Sequence, residues 1–158
     1  MIRNLRVLLV LGVVLPGVCT LESLVQAKDK ECPGLQFARV FSLEDKAEVF
    51  CLRSRAATRS EPQWVVWVSK SCAVGECTAW SWLTGSRKKR TDVFSKFNQA
   101  QSRSTDVGDG ANPASLFCQF MGAVARTGRD SSGNEEPICQ AKDGSMIAAW
   151  DLYSHYQP

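Results

Sequence analysis

In the first half of the chain the apolar residues come in short bursts, set apart by polar or turn-forming stretches. The segments "LQFARVF" (35–41), "AEVFCLR" (47–53), "QWVVWVS" (63–69) and "CTAWSWL" (77–83) are rich in β-branched and aromatic residues. Runs of that length and composition predict four strands of an antiparallel meander. The stretch "SKFNQAQSRSTDVGDGA" (95–111) has little apolar content after Phe97 and holds Gly108 and Gly110, which predicts a linker or long surface loop. Beyond it the pattern changes. Asn112, Pro113 and Gly122 bracket one short helix, "AVARTGR" and "PICQA" flank "DSSGNEE" as hairpin strands flank a turn, and Asp143, Gly144 and Ser145 lead into a second helix. The expected fold class is α+β: a small antiparallel sheet unit (28–94), the linker (95–111), and a helix, hairpin, helix unit (112–158).

The first of these helices has a physical start signal. The Asn112 side chain is suited to accept a hydrogen bond from an orphan N–H at the second or third helical position, and Pro113 fits the first, where a missing N–H costs nothing. Leu116, Phe117, Phe120 and Met121 follow at helical spacing, which predicts an apolar stripe turned to the hairpin. Cys118 falls in this helix and Cys139 in the second hairpin strand. A disulfide between them would tie helix to sheet, and closing a loop of about 20 residues would stabilise the fold by roughly 3 kcal/mol.

The N-terminus adds a compartment. Arg3 and Arg6 precede "VLLVLGVVLPGV", and "VQA" at 25–27 offers small residues for cleavage; this is the pattern of a secretory signal over residues 1–27. A membrane anchor needs about 20 apolar residues, more than this run supplies. Val18 before Cys19 is unlike the small residue that lipoprotein processing takes. Past residue 27 six cysteines remain, Cys32, Cys51, Cys72, Cys77, Cys118 and Cys139, and in an oxidising compartment they read as three disulfides. In the first unit four cysteines allow three pairings, of which Cys32 with Cys51 and Cys72 with Cys77 are the ones expected. Zinc is the rival reading of Cys72 and Cys77, but no second pair or histidine group completes a tetrahedral site. The expected net charge of residues 28–158 is +2, too small to argue for a nucleic-acid partner.

The run "NPASLFCQFMGAVARTGRDSSGNEEPICQAKDGSMIAAWDLY" resembles a small bacterial domain of unknown function found in exported proteins that carry a hemolysin label. The elements that match its pattern are Asn112 to Ser115, Phe117, Cys118, Gly122, Cys139, Asp143 to Ser145, Trp150 and Tyr153. The likeness covers about 45 residues and does not reach residues 28–110. Relatives often carry one more cysteine three residues before the Trp and another near the C-terminus; this chain has Ile147 and no cysteine around Gln157. That paired absence implies one lost disulfide and so supports Cys118 with Cys139. An acidic pair before the Trp is replaced by Ala148 and Ala149, so a binding role for those carboxylates does not carry over. The resemblance brings no lytic mechanism, and the chain offers no amphipathic membrane-inserting segment.

Candidate chemistry is sparse. Trp80 and Trp82, two apart on the fourth expected strand, would share one face and suit a sugar ring or a partner protein; filling the core is the commoner use of such residues, and Trp150 is expected in the core. Arg87, Lys88, Lys89 and Arg90 follow, in a region (53–103) where ten basic residues face three acidic ones. Such a patch suits an envelope protein or an anionic envelope polymer, although charge runs are often solvated loops. His155 is the sole histidine, in a tail where fraying is expected, and no nucleophile motif accompanies it. Glu44, Asp45 and Glu48 read as a polar turn and strand start. The expected function is a non-catalytic binding or accessory protein of the periplasm or outer surface, with no catalytic residue, metal, nucleic acid or small-molecule cofactor; a structural envelope component and a secreted hydrolase are the alternatives.

Overall fold

A computed structural model describes residue 32 and residues 37–59, 63–103 and 111–158. The expected signal segment, 1–27, and residues 104–110 of the expected linker lie outside the described residues. The sheet begins as a hairpin in which β1 (Ala38–Leu43) pairs with β2 (Lys46–Arg55), Leu43 opposite Lys46 and Ala38 opposite Cys51. Glu44 and Asp45 connect them with φ of 47° and 66°, the two left-handed residues of a tight hairpin turn. Next, β3 (Trp64–Ser69) lies along β2. A second hairpin, β4 (Val124–Arg129) and β5 (Glu135–Gln140), is followed by β6 (Met146–Ala148).

These strands form one closed antiparallel barrel in the order β1, β2, β3, β6, β5, β4, and back to β1. The two closing seams are narrow. One joins β3 to β6 at Val68 and Ile147, the other β1 to β4 at Ser42 and Arg129, with an Arg126–Glu44 ion pair beside the second. The α+β class expected from the sequence is the class observed, and strands from both halves of the chain share the barrel.

Alternation along the strands sorts the two larger cores, beside a small cluster of Cys32, Cys51 and Ala73. Phe41, Leu43, Phe50, Ile138 and Met146, joined by Trp67, fill the barrel. Val66, Val68, Cys139 and Ile147 point the other way, to helices that pack outside. Those helices are α1 (Thr78–Ser81), α2 (Arg87–Arg103), α3 (Pro113–Phe120) and α4 (Ala149–Tyr156). The Asn112 side chain accepts from the N–H groups of Ala114 and Ser115 at 2.9 and 3.2 Å, with Pro113 in the first turn, so the expected start signal is the one used. The buried positions of α3 are Ala114, Phe117 and Cys118, while Phe120 is exposed, a stripe rotated from the one predicted. Disulfides join Cys32 to Cys51, Cys72 to Cys77, and Cys118 to Cys139, the pairings read from the sequence. The last ties α3 to β5.

Several expectations need correction. Residues 77–83 are not a strand: a 3-10 turn (Lys70–Cys72), a loop and α1 occupy residues 70–81. Residues 95–103 of the expected linker continue α2, whose Phe94 and Phe97 are buried against Phe117; two buried rings three residues apart hold an otherwise polar helix on the body of the protein. Asp143 to Ser145 lead first into β6 and only then into α4. Trp150 is 40% exposed, because α4 turns Ala149, Leu152 and Tyr156 inward and leaves position 150 outside.

Gly128 on β4 shows how tightly the barrel is filled. A Cβ there would lie 3.2 Å from the Cβ of Phe41 and 3.3 Å from Cγ1 of Ile138. Gly128→Ala is expected to destabilise the protein by roughly 1–3 kcal/mol through overpacking, measured by urea unfolding of the oxidised chain.

Candidate functional site

The basic run opens a helix instead of lying in a loop. Arg87, Lys88 and Lys89 are exposed on the first turn of α2. Arg90 differs: it is 7% exposed, and its guanidinium donates to the carbonyl of Gly85. The four expected binding cations therefore divide into three surface groups and one structural group.

The tryptophans divide as well. On a helix, residues two apart point about 200° from each other, so Trp80 and Trp82 cannot share the face that a strand would give them. Trp80 is buried against Trp64, with ring centroids 5.2 Å apart. The Arg53 guanidinium lies over the Trp80 ring at 3.5 Å from its centroid, while the same group donates to the carbonyls of Cys72 and Gly75 at 2.8 and 2.9 Å. Trp80 is thus a packing element held by a cation–π contact, and Arg53 is committed to the Cys72–Cys77 loop. Trp82 is half-buried, and its carbonyl accepts from the Tyr156 hydroxyl at 2.7 Å.

α1 exists because a remote loop caps it. The N–H of Thr78 donates to Oδ2 of Asp143 at 3.0 Å, across 65 residues of chain, and the N–H of Ala79 donates to Oγ of Ser145 at 3.0 Å. The N–H of Trp80 donates to Sγ of Cys77 at 3.2 Å. The orphan donors of the first turn are satisfied from outside the helix. The Ser145 hydroxyl in turn donates to Oδ1 of Asp143 at 2.6 Å. The hydrogen bonds from Ser145 and Thr78 hold the Asp143 carboxyl well below the usual aspartate range. The Asp-Gly-Ser motif of the C-terminal stretch therefore builds structure in the N-terminal half.

Between β3, the start of α2 and the end of α4 lies a groove of about 500 Å³. Trp64, Arg87, Asp151, Ser154, His155 and Gln157 are among its lining residues. Within it, Nε2 of His155 lies 3.0 Å from the carbonyl oxygen of Leu83 and the ring packs on Trp64; α4 includes this residue, so the tail expected to fray is docked. Oδ2 of Asp151 accepts from the N–H of Trp67 at 2.7 Å, taking over a strand's role just past the end of β6. Burial pushes the Asp151 carboxyl up, against the pull of that N–H and of Arg39. Burial also raises Glu136, with the charge of Asp151 adding to the effect. The Trp64 indole N–H is buried and has no hydrogen-bond partner among the described residues. Among the described residues no cluster of three or more His, Cys, Asp or Glu side chains is placed to hold a metal, and no helix is long and apolar enough to cross a membrane.

Of the expected site residues, the groove gathers Arg87 and Arg90 and omits Trp80, Trp82, Lys88 and Lys89. Trp64 begins the expected contact region, residues 64 to 90, but Asp151, Ser154 and Gln157 were not singled out as a site by the sequence, and no spacing signal joins residue 64 to residue 157.

Residues 110–155 match the family model described as a domain of unknown function (DUF333). The matched stretch holds α3, the second hairpin, β6 and most of α4, and supplies Asp143, Ser145 and Asp151 to the contacts above. No curated protein and no solved structure matches the chain.

Two outcomes follow from these carboxylates. Asp143→Ala removes the remote cap and is expected to destabilise by about 1 kcal/mol at neutral pH. Because the folded carboxyl ionises more readily than the unfolded one, its contribution is complete above the ordinary value of 3.8 and fades as pH falls below it; thermal melts should show the gap between wild type and variant closing in that range. Glu136 has the opposite sign. Its raised carboxyl loses stability as pH climbs through the folded value, so Glu136→Gln should raise Tm at pH 7 and lose that advantage below the ordinary glutamate value of 4.5.

Proposed function

We propose that the chain is an exported, non-catalytic binding or accessory protein of the bacterial envelope that meets an anionic partner, an envelope protein or an anionic polymer, through the first turn of α2. One observation carries this reading: Arg87, Lys88 and Lys89 stand together, exposed, with no ion-pair partner among the described residues, whereas Arg53 and Arg90 from the same basic region are spent on backbone carbonyls. Three adjacent cations raise the local concentration of an anionic surface without needing a deep pocket.

The supporting facts for export are three disulfides in a small domain and the signal pattern at residues 1–27. The non-catalytic reading is supported by the commitment of all six cysteines past residue 27 to disulfides, which takes them out of nucleophilic chemistry. The hemolysin resemblance serves here as a family label and assigns no lytic act.

The test is retention on a dextran sulfate matrix under a salt gradient. Arg87→Ser, Lys88→Ser and Lys89→Ser together should elute at clearly lower salt than wild type. A control that removes equal charge elsewhere, Lys46→Ser, Arg59→Ser and Lys142→Ser, should elute near wild type. Equal loss in both variants would mean that net charge alone is being read, and would contradict a binding face on α2.

A further inference from the structure

We infer that the groove beneath the basic turn is a saccharide site, selective for an acidic sugar that carries one carboxylate on each ring. The inference deepens the anionic-partner reading above and rests on it.

The chemistry of the walls selects the ligand. The groove volume of about 500 Å³ falls within the range of small-molecule sites, roughly 300–1,000 Å³. Arg87 brings the one exposed cationic side chain of the lining, with no hydrogen bond from its guanidinium to a described residue. Asp151 is the acidic side chain of the lining, and its Oδ1 has no hydrogen bond to a described residue while Oδ2 is held by Trp67. A ligand that fills the groove must therefore place negative charge toward Arg87 and neutral hydrogen-bond donors toward Asp151. A compact polyanion fails the second condition, since its charge would face a carboxylate in a partly desolvated site. An acidic sugar meets both: its carboxylate suits the planar guanidinium, and its hydroxyls donate to a carboxylate oxygen.

The remaining walls agree. Ser154 and Gln157 add a hydroxyl and an amide, neither engaged by a described side chain, and such groups both donate to and accept from sugar hydroxyls. Trp64 supplies an aromatic wall, its ring held by Trp80 and His155. An apolar ligand would leave all these polar groups unmatched.

Titration of the oxidised chain with 4-linked digalacturonate, followed by calorimetry and by the NMR signals of the tryptophan indoles, tests the assignment. Digalacturonate should shift the Trp64 indole signal, and neutral 4-linked galactobiose, inorganic phosphate and tetraglutamate should each bind at least tenfold more weakly. Arg87→Gln should weaken digalacturonate at least tenfold while leaving galactobiose unchanged, and Ser154→Ala with Gln157→Ala should weaken both sugars. Lys46→Ser with Lys142→Ser, which lie away from both the groove and the basic turn, should leave digalacturonate affinity within twofold. Absence of digalacturonate binding, or phosphate or tetraglutamate binding as well as digalacturonate, would overturn the saccharide assignment. Retention on dextran sulfate in that case would leave the basic face standing, so the two readings fail separately.

Discussion

The structure depends on how the barrel closes where β3 meets β6. A strand of three residues offers few backbone partners, yet the groups at that seam are largely shielded from water, where an unpaired N–H is expensive. Side-chain oxygens make up the difference. The Ser69 hydroxyl accepts from Met146, Asp151 accepts from Trp67, and Asp143 with Ser145 cap the helix that follows β3. Each of these bonds joins residues at least 65 positions apart in the chain. Two halves that the sequence separates by a polar stretch are thereby made parts of one barrel.

That closure also fixes the candidate site. α4 is docked by Asp151 at its start and by His155 and Tyr156 at its end, the last two reaching the carbonyls of Leu83 and Trp82. Leu83 and Trp82 lie just before α2, so the same contacts set the distance between α4 and the basic turn. Positive charge in this region has two fates. Arg53 and Arg90 satisfy backbone carbonyls and stiffen the connection around α1, and Arg87, Lys88 and Lys89 stay exposed on the first turn of α2. The groove is the space left between the docked helix and the surface cations.

What could be read from the sequence was what is decided locally. Asn112 and Pro113 carry their own start signal, Glu44 and Asp45 sit between two alternating strands, and Cys118 and Cys139 fall on elements that pack together. α1 was hidden because "CTAWSWL" alternates like a strand, and the groups that cap it come from Asp143 and Ser145. α2 was split because only Val93, Phe94 and Phe97 mark its packed face, and the polar residues after them resemble a loop. β6 is too short to show a period. The groove was illegible for a related reason: residues 64, 87 and 157 meet only after both halves have folded.

Native-state hydrogen exchange of the oxidised chain in rising denaturant tests this account most directly. If the β3–β6 seam makes one cooperative barrel, the slowest amides of β1–β3 and of β4–β6 will open at the same free energy and with the same denaturant dependence. Persistence of protection in β4, β5 and α3 after β1–β3 have opened would contradict it, and would mean that the C-terminal stretch stands without the seam.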